Sequence, residues 1–281
     1  MDERAAAQER AAEGWRHLRA VYHDGCGHLQ PAIEALRQAE HAQRRAGASG
    51  DLESTLIGLV LALRLRRNLE ERRRAVVLAQ ELVNGARRRH GDEDALPYRA
   101  YLETAYRDLA DVEADAAAVR TAEEGIAACD RTLRVARRLR VPHVVPPAQA
   151  AKADLLLRLA AVRPGAGAAR LRREAEKLYA SALEGWPPRD AEGRAVAELE
   201  AADRLAAYPE GRGRADRLIH DAAGALEAAG HRYLAARAAR VRARLALAAG
   251  RPDALDEVER AAAAFRTLGC EEDAREVEAL L

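Results

Sequence analysis

The sequence predicts an all-α chain folded as an α-solenoid, and three observations predict it. Apolar residues recur with helical period along almost the whole length. Gly and Pro interrupt that period about every twenty residues, which marks turns between helices of similar size. Strand-favouring residues are sparse: five Thr, a single Phe, and Val in short clusters such as Val76-Val77 and Val144-Val145.

Taken in order, helices are expected at 3–23, 31–46, 51–67, 70–90, 95–112, 115–140, 147–162, 166–184, 189–207, 212–229, 231–249, 253–268 and 271–281. Pro31 opens the second, in a first turn where its missing N–H costs nothing. Gly47 closes that helix, since the left-handed backbone after a last turn is easiest for Gly. Asp51 is placed to cap the third. Arg87-Arg88-Arg89 set positive charge at the end of the fourth, before Gly91, as the helix dipole prefers. The fifth and sixth follow with a short break, and the linker Val141-Pro142-His143-Val144-Val145-Pro146-Pro147 ends at Pro147, which opens the seventh. Pro164-Gly165-Ala166-Gly167 is a loop before the eighth, without the preceding strand that a phosphate-cradling turn requires. Gly230, Gly250 and Gly269 close later helices, and Asp253 is placed to cap the twelfth. The closing helix carries Glu271, Glu272, Asp273, Glu276 and Glu278, acidic enough to keep the end of a stack in water.

The helices pair antiparallel, with first members starting near 11, 51, 95, 147, 189 and 231. A period of about forty residues means a solenoid. Six pairs and a closing helix make a single domain over 1–281, with 141–147 the one place of possible sub-division.

Composition agrees and narrows the function classes. Apolar residues are 49% and charged residues 32%, dominated by Ala, Leu, Glu and Arg, the mixture of long helices. Aromatics are 4%, so packing relies on Ala and Leu at close helix–helix distances. With 46 basic against 45 acidic residues, no global field draws the chain to nucleic acid or membrane. Lys152 and Lys177 are the only lysines, and the surplus of Arg and Ala is that of a GC-rich bacterial genome. The longest apolar run, Leu56 to Leu63, is far short of the ~20 residues a membrane span needs. Cys26, Cys129 and Cys270 are odd in number and far apart, which fits reduced thiols and a cytoplasmic protein. The charged start, Met-Asp-Glu-Arg, has no signal-peptide core.

Trp15, Leu18 and Tyr22 match the W-x2-L-x3-Y spacing of the tetratricopeptide repeat, with Arg19 where that family prefers Gly. Ala32, Leu36 and Ala39 follow its small–large–small second helix. Gly250-Arg251-Pro252 with Ala254-Leu255, Val258, Ala261-Ala262, Phe265 and Leu268-Gly269 resembles the helical arms at the C-terminal end of bacterial signal-transduction ATPases and regulators. The chain as a whole therefore resembles a tetratricopeptide-repeat protein in rhythm, and in motif at these two pairs. Helix 115–140 is too long for that pattern. The resemblance implies a right-handed stack whose first helices line a concave groove that binds a protein or peptide.

On those helices the candidate partner-binding residues are Arg16, Arg19 and His23, Arg64, Tyr98, Tyr101 and Tyr106, and Arg237, Arg240 and Arg244. The last three recur at i, i+3, i+7 on one face, an arginine ladder able to clamp carboxylates or phosphates. The competing reading is a solvated face whose stems cover Leu and Ala. Basic clusters at Arg72-Arg73-Arg74, Arg87-Arg88-Arg89 and Arg131/Arg134/Arg137/Arg138 lack interleaved aromatics and have acidic neighbours, which disfavours nucleic acid. His17, His23, Cys26 and His28 are the densest ligand-type patch, without zinc pairings, so no metal is expected. Ser49, Ser54 and Ser181 stand outside any nucleophile elbow, and no dinucleotide fingerprint occurs, so neither catalysis nor a cofactor is expected.

The expected function is a binding scaffold for a protein or peptide with acidic groups. The alternatives are a sensor or regulatory subunit of a bacterial signalling or defence system, working with a separately encoded effector, and an enzyme with a pocket inside the solenoid. Self-association through Ala/Leu end faces stays open.

Overall fold

A computed structural model describes residues 3–66, 68–163 and 165–281. Among them lie thirteen α-helices, three short 3-10 turns and no strand. The helices are α1 (Glu3–Asp24), α2 (Leu29–Arg45), α3 (Ser49–Leu65), α4 (Leu69–His90), α5 (Asp92–Val112), α6 (Asp115–Leu139) and α7 (Val145–Val162), then α8 (Ala166–Glu184), α9 (Ala191–Leu205), α10 (Arg212–Ala228), α11 (Arg232–Ala248), α12 (Ala254–Thr267) and α13 (Glu271–Glu278). Each expected helix is present within a few residues. Residues 67 and 164, at the expected end of the third helix and the start of the loop before the eighth, lie outside the described residues.

The glycines after helices behave as their chemistry requires: Gly47, Gly91, Gly230, Gly250 and Gly269 all have φ between 63° and 92°. Capping differs from expectation. Asp51 lies inside the first turn of α3 and accepts from Arg4 and Gln8 at 3.1 Å, while Ala48 holds the cap position. Asp253 holds the cap position of α12, but its carboxylate is taken by Arg251, two residues away, and caps nothing. Side-chain caps among the described residues include Asn68, accepting from the N–H groups of Glu70 and Glu71, and Asp190, accepting from Gly193.

The chain divides into two compact units: one through Arg16 and from Pro31 to Trp186, the other from His17 to Gln30 and from Pro187 to Leu281. The segment 141–147 lies inside the first unit, as a 3-10 turn over Pro142–Val144 leading into α7. In the first unit consecutive helices from α3 to α8 pack on one another, and α5 also packs against α3 and α7. Its core is built on Ile33, Leu36, Leu59, Leu63, Leu78, Leu155, Leu157 and Tyr179. Small residues set how closely these helices approach: a Cβ added at Gly125 of α6 would stand 2.8 Å from Leu155 and 2.9 Å from Tyr106. In the second unit α9 to α13 pack in order and α11 also contacts α9. Phe265 is its anchor, fully buried and edge-on to Tyr233 at 6.0 Å.

The thiol expectation is overturned. Cys26 and Cys270, 244 residues apart in sequence, form a disulfide in the second unit with Cα atoms 5.2 Å apart. Cys129 is free and buried in the first unit. Separation along a chain sets no lower bound on separation in space, so distant cysteines were no evidence for reduction. Among the described residues no helix is long and apolar enough to cross a membrane.

Candidate functional site

The arginine ladder of α11 does lie on one face, and that face is already answered by acids from the same unit. Arg237 donates to Glu200 at 2.8 Å, Arg240 to Asp203 at 2.8 Å, and Arg244 to Asp203 at 2.9 Å. Arg240 also reaches Glu276 of α13 at 3.4 Å. Burial alone would raise the Asp203 carboxyl, but Arg240, Arg244, Arg237 and Arg204 overcome it and hold the group down at about 2. The ladder therefore joins α11 to α9 and α13.

The same device recurs in the first unit. Arg64 of α3 meets Asp108 of α5 at 2.6 Å, and Arg107 bridges Asp108 at 2.8 Å to Asp154 of α7 at 3.3 Å. The Tyr179 hydroxyl of α8 donates to Asp154. Tyr98 donates to Glu53 of α3 at 3.1 Å. Tyr101 is half-buried on α5 without a hydrogen bond from its hydroxyl among the described residues, and burial raises the Tyr106 phenol above its ordinary value. Arg16 and Arg19 are exposed and make no ion pair among the described residues. His23 stacks on His231 at 5.1 Å and donates through Nδ1 to the Gly230 carbonyl at 3.0 Å. The histidine–cysteine patch is thus divided: His17 faces His28, with Nδ1 atoms 3.2 Å apart, while Cys26 goes to Cys270. Asp273 lies within 4.8 Å of both sulfurs, but the disulfide occupies them.

One concave site in the first unit is not answered internally. It is a cleft of about 90 Å³ between α4, α5 and α6. Gln80, Asn84 and Arg87 reach it from α4 at i, i+4, i+7, Arg99 and Glu103 from α5 at i, i+4, and Arg131 and Thr132 from α6. Ala128, also on its wall, leaves the space open. Glu103 is 1% exposed, yet its Oε1 has no hydrogen-bond partner among the described residues, and neither has the Nε of Arg99. Arg99 and Glu103 lie one turn apart without forming an ion pair; Arg99 turns instead to Asp92 at 3.4 Å. Asp92 is shared further with Arg87 at 3.5 Å and Arg138 at 2.8 Å. Arg131 makes no ion pair among the described residues. Burial raises the Glu103 carboxyl to about 7, against the opposing pull of Thr132, Arg99 and Arg131.

Buried polar atoms are nearly always paired with protein or ordered water, so an unpaired acceptor and an unpaired donor on one cleft wall mark a place where a water or another polar guest fits. No protein-family model matches the chain, and no curated protein matches it. One solved structure, a de novo designed helical repeat protein, is 22% identical over 99% of this chain and 98% of its own, with a TM-score of 0.16. At that score the likeness carries no argument.

Glu103 was not singled out from sequence, although a signal existed. It stands in helical phase with the buried residues Leu96, Arg99 and Ala110, where a carboxylate is out of place unless it has a task.

Proposed function

We propose that the chain is a binding scaffold of the tetratricopeptide type: a right-handed stack of antiparallel helix pairs that holds a protein or peptide by its acidic groups. The period of about forty residues and the contacts of α5 with α3 and α7, and of α11 with α9, support a stack in which alternate helices adjoin. The observation that carries the binding reading is the α4–α6 cleft, where the exposed Arg131 has no ion pair among the described residues and stands beside the buried Glu103, whose Oε1 is also without a partner. In the proposed complex Arg131 and Arg99 receive an acidic side chain, and the exposed Arg16 and Arg19 are open to the same kind of partner. Arg237, Arg240 and Arg244 serve mainly to hold their own helices together.

The test is capture of immobilised Glu/Asp-rich peptides by the full chain. Arg131→Ala is expected to weaken capture about tenfold, the scale of one charge-assisted contact. Capture that is equally strong in the variant, or absent from the parent chain, would sink this reading.

A further inference from the structure

The cleft's own chemistry defines its guest more narrowly. We propose that the α4–α6 cleft is a carboxylate-binding site in which Glu103 takes up one proton from solvent and donates it to the bound carboxylate, with Arg131 and Arg99 supplying the positive charge. The inference rests on the reading of this cleft as a binding site, but it does not need the guest to be part of a macromolecule.

Size comes first. A volume of about 90 Å³ corresponds to roughly three waters of liquid volume. That admits a carboxylate with a carbon or two behind it. Charge comes second. Arg87, Arg99 and Arg131 line the cleft against Glu103 alone, so a cationic guest would meet three guanidinium groups. A phosphate dianion would set two negative charges beside Glu103. A carboxylate brings one, and its planar pair of oxygens suits the guanidinium fork.

Hydrogen bonding comes third. The Arg99 Nε–H is an unanswered donor and the Glu103 Oε1 an unanswered acceptor. A guest carboxylate accepts from Arg99 and Arg131, but it has no hydrogen to give Glu103. Two carboxylates this close raise one another's affinity for a proton, and one proton shared between them also gives Glu103 Oε1 the partner it lacks. Glu103 is prepared to take it, because burial already holds its carboxyl at about 7.

The groups facing Glu103 do not compete for that proton. On its own helix there is Arg99; from α4, Arg87; from α6, Arg131 and Cys129; and behind Cys129, Lys152 and Asp154 of α7. Arginines do not deprotonate in proteins, and burial raises the Cys129 thiol well above its ordinary value. Asp154 is bound to Arg107 and Tyr179, and Lys152 to Asp130 at 2.9 Å.

Acetate, titrated calorimetrically into the full chain in two buffers of different ionisation enthalpy, tests this. One saturable site is expected, with close to one proton taken up per acetate at pH 8 and affinity rising about fivefold between pH 8 and pH 7. Glu103→Gln should bind acetate with no proton uptake and no pH dependence. Arg131→Ala should bind at least tenfold more weakly with an unchanged thermal midpoint, since Arg131 is exposed and unpaired. Absence of saturable binding, proton uptake persisting in Glu103→Gln, full affinity in Arg131→Ala, or equal binding of inorganic phosphate would each overturn the proposal. If Glu103→Gln does not fold, proton uptake by the parent chain together with Arg131→Ala decides it. Acetate binding without capture of acidic peptides would remove only the scaffold reading. Peptide capture through Arg131 without acetate-linked proton uptake would remove only this one.

Discussion

Asp203 shows how much one carboxylate can organise. Three arginines from one helix converge on it; without it Arg244 would lose its acid outright and Arg240 would keep only Glu276 at 3.4 Å, while Arg237 would retain Glu200. Asp203→Asn should therefore lower stability by about 2–3 kcal/mol, less than a fully buried ion pair because the group keeps some contact with water. The effect has a pH signature. The folded carboxyl at about 2 lies below its ordinary 3.8, so its contribution is present above pH 3.8 and is lost as the pH falls through about 2. Chemical denaturation from pH 5 to pH 2 should show parent and variant converging at the acid end; a constant gap would mean that Asp203 acts by shape and not by charge. Glu103 has the opposite sign, a buried carboxyl raised above its ordinary value. Two acids on helices of similar composition thus have opposite fates, decided by how many guanidinium groups reach them.

At the scale of helices, local signals and lateral ones differ in legibility. Gly and Pro punctuation marked most of the helix breaks, because turn geometry is a property of a few adjacent residues; the breaks after α3 and α5 carry neither residue and were read from the helical period. Caps were harder: Asp51 and Asp253 precede apolar runs as good caps do, but nearby arginine, and for Asp51 also glutamine, side chains claim their carboxylates. Asn68 does cap α4, so Asn68→Ala should cost about 1 kcal/mol, read as a lower urea midpoint with unchanged slope. No loss would mean that solvent satisfies those N–H groups equally well. The lateral ion pairs carry a pattern that sequence reading can use. Arg237–Glu200 and Arg240–Asp203 are each 37 residues apart, Arg64–Asp108 is 44, and Arg107–Asp154 is 47. Each spans about one period of the helical rhythm, so opposite charges one period apart are the trace of these bonds. Read alone, the α11 ladder looked free to meet a partner because its acids sit about a full period away, Glu200 and Asp203 upstream and Glu276 downstream.

At the scale of the whole chain the disulfide is the main departure from expectation. Gly25 makes it feasible: its φ is 115°, and a Cβ there would stand 2.0 Å from the Leu268 carbonyl oxygen, so only glycine lets the two loops meet. Cys26 N–H then donates to that same carbonyl at 2.9 Å, and the two sulfurs join. Denatured without reductant, the chain should titrate one thiol, Cys129, and after reduction three. Cys26→Ser/Cys270→Ser should lower stability by up to about 5 kcal/mol, the chain-entropy limit for so long a loop. Three thiols before reduction would remove the bond.

Helix number, helix order and the apolar stripes were legible in the residues alone, because each depends on contacts within a few turns of one helix. Which arginines find an acid, which carboxylate stays unpaired in a cleft, and which cysteines meet depended on the packed chain. The pairings of the α11 ladder and the disulfide join residues 36 to 244 positions apart, and sequence order says little about distance once helices have stacked.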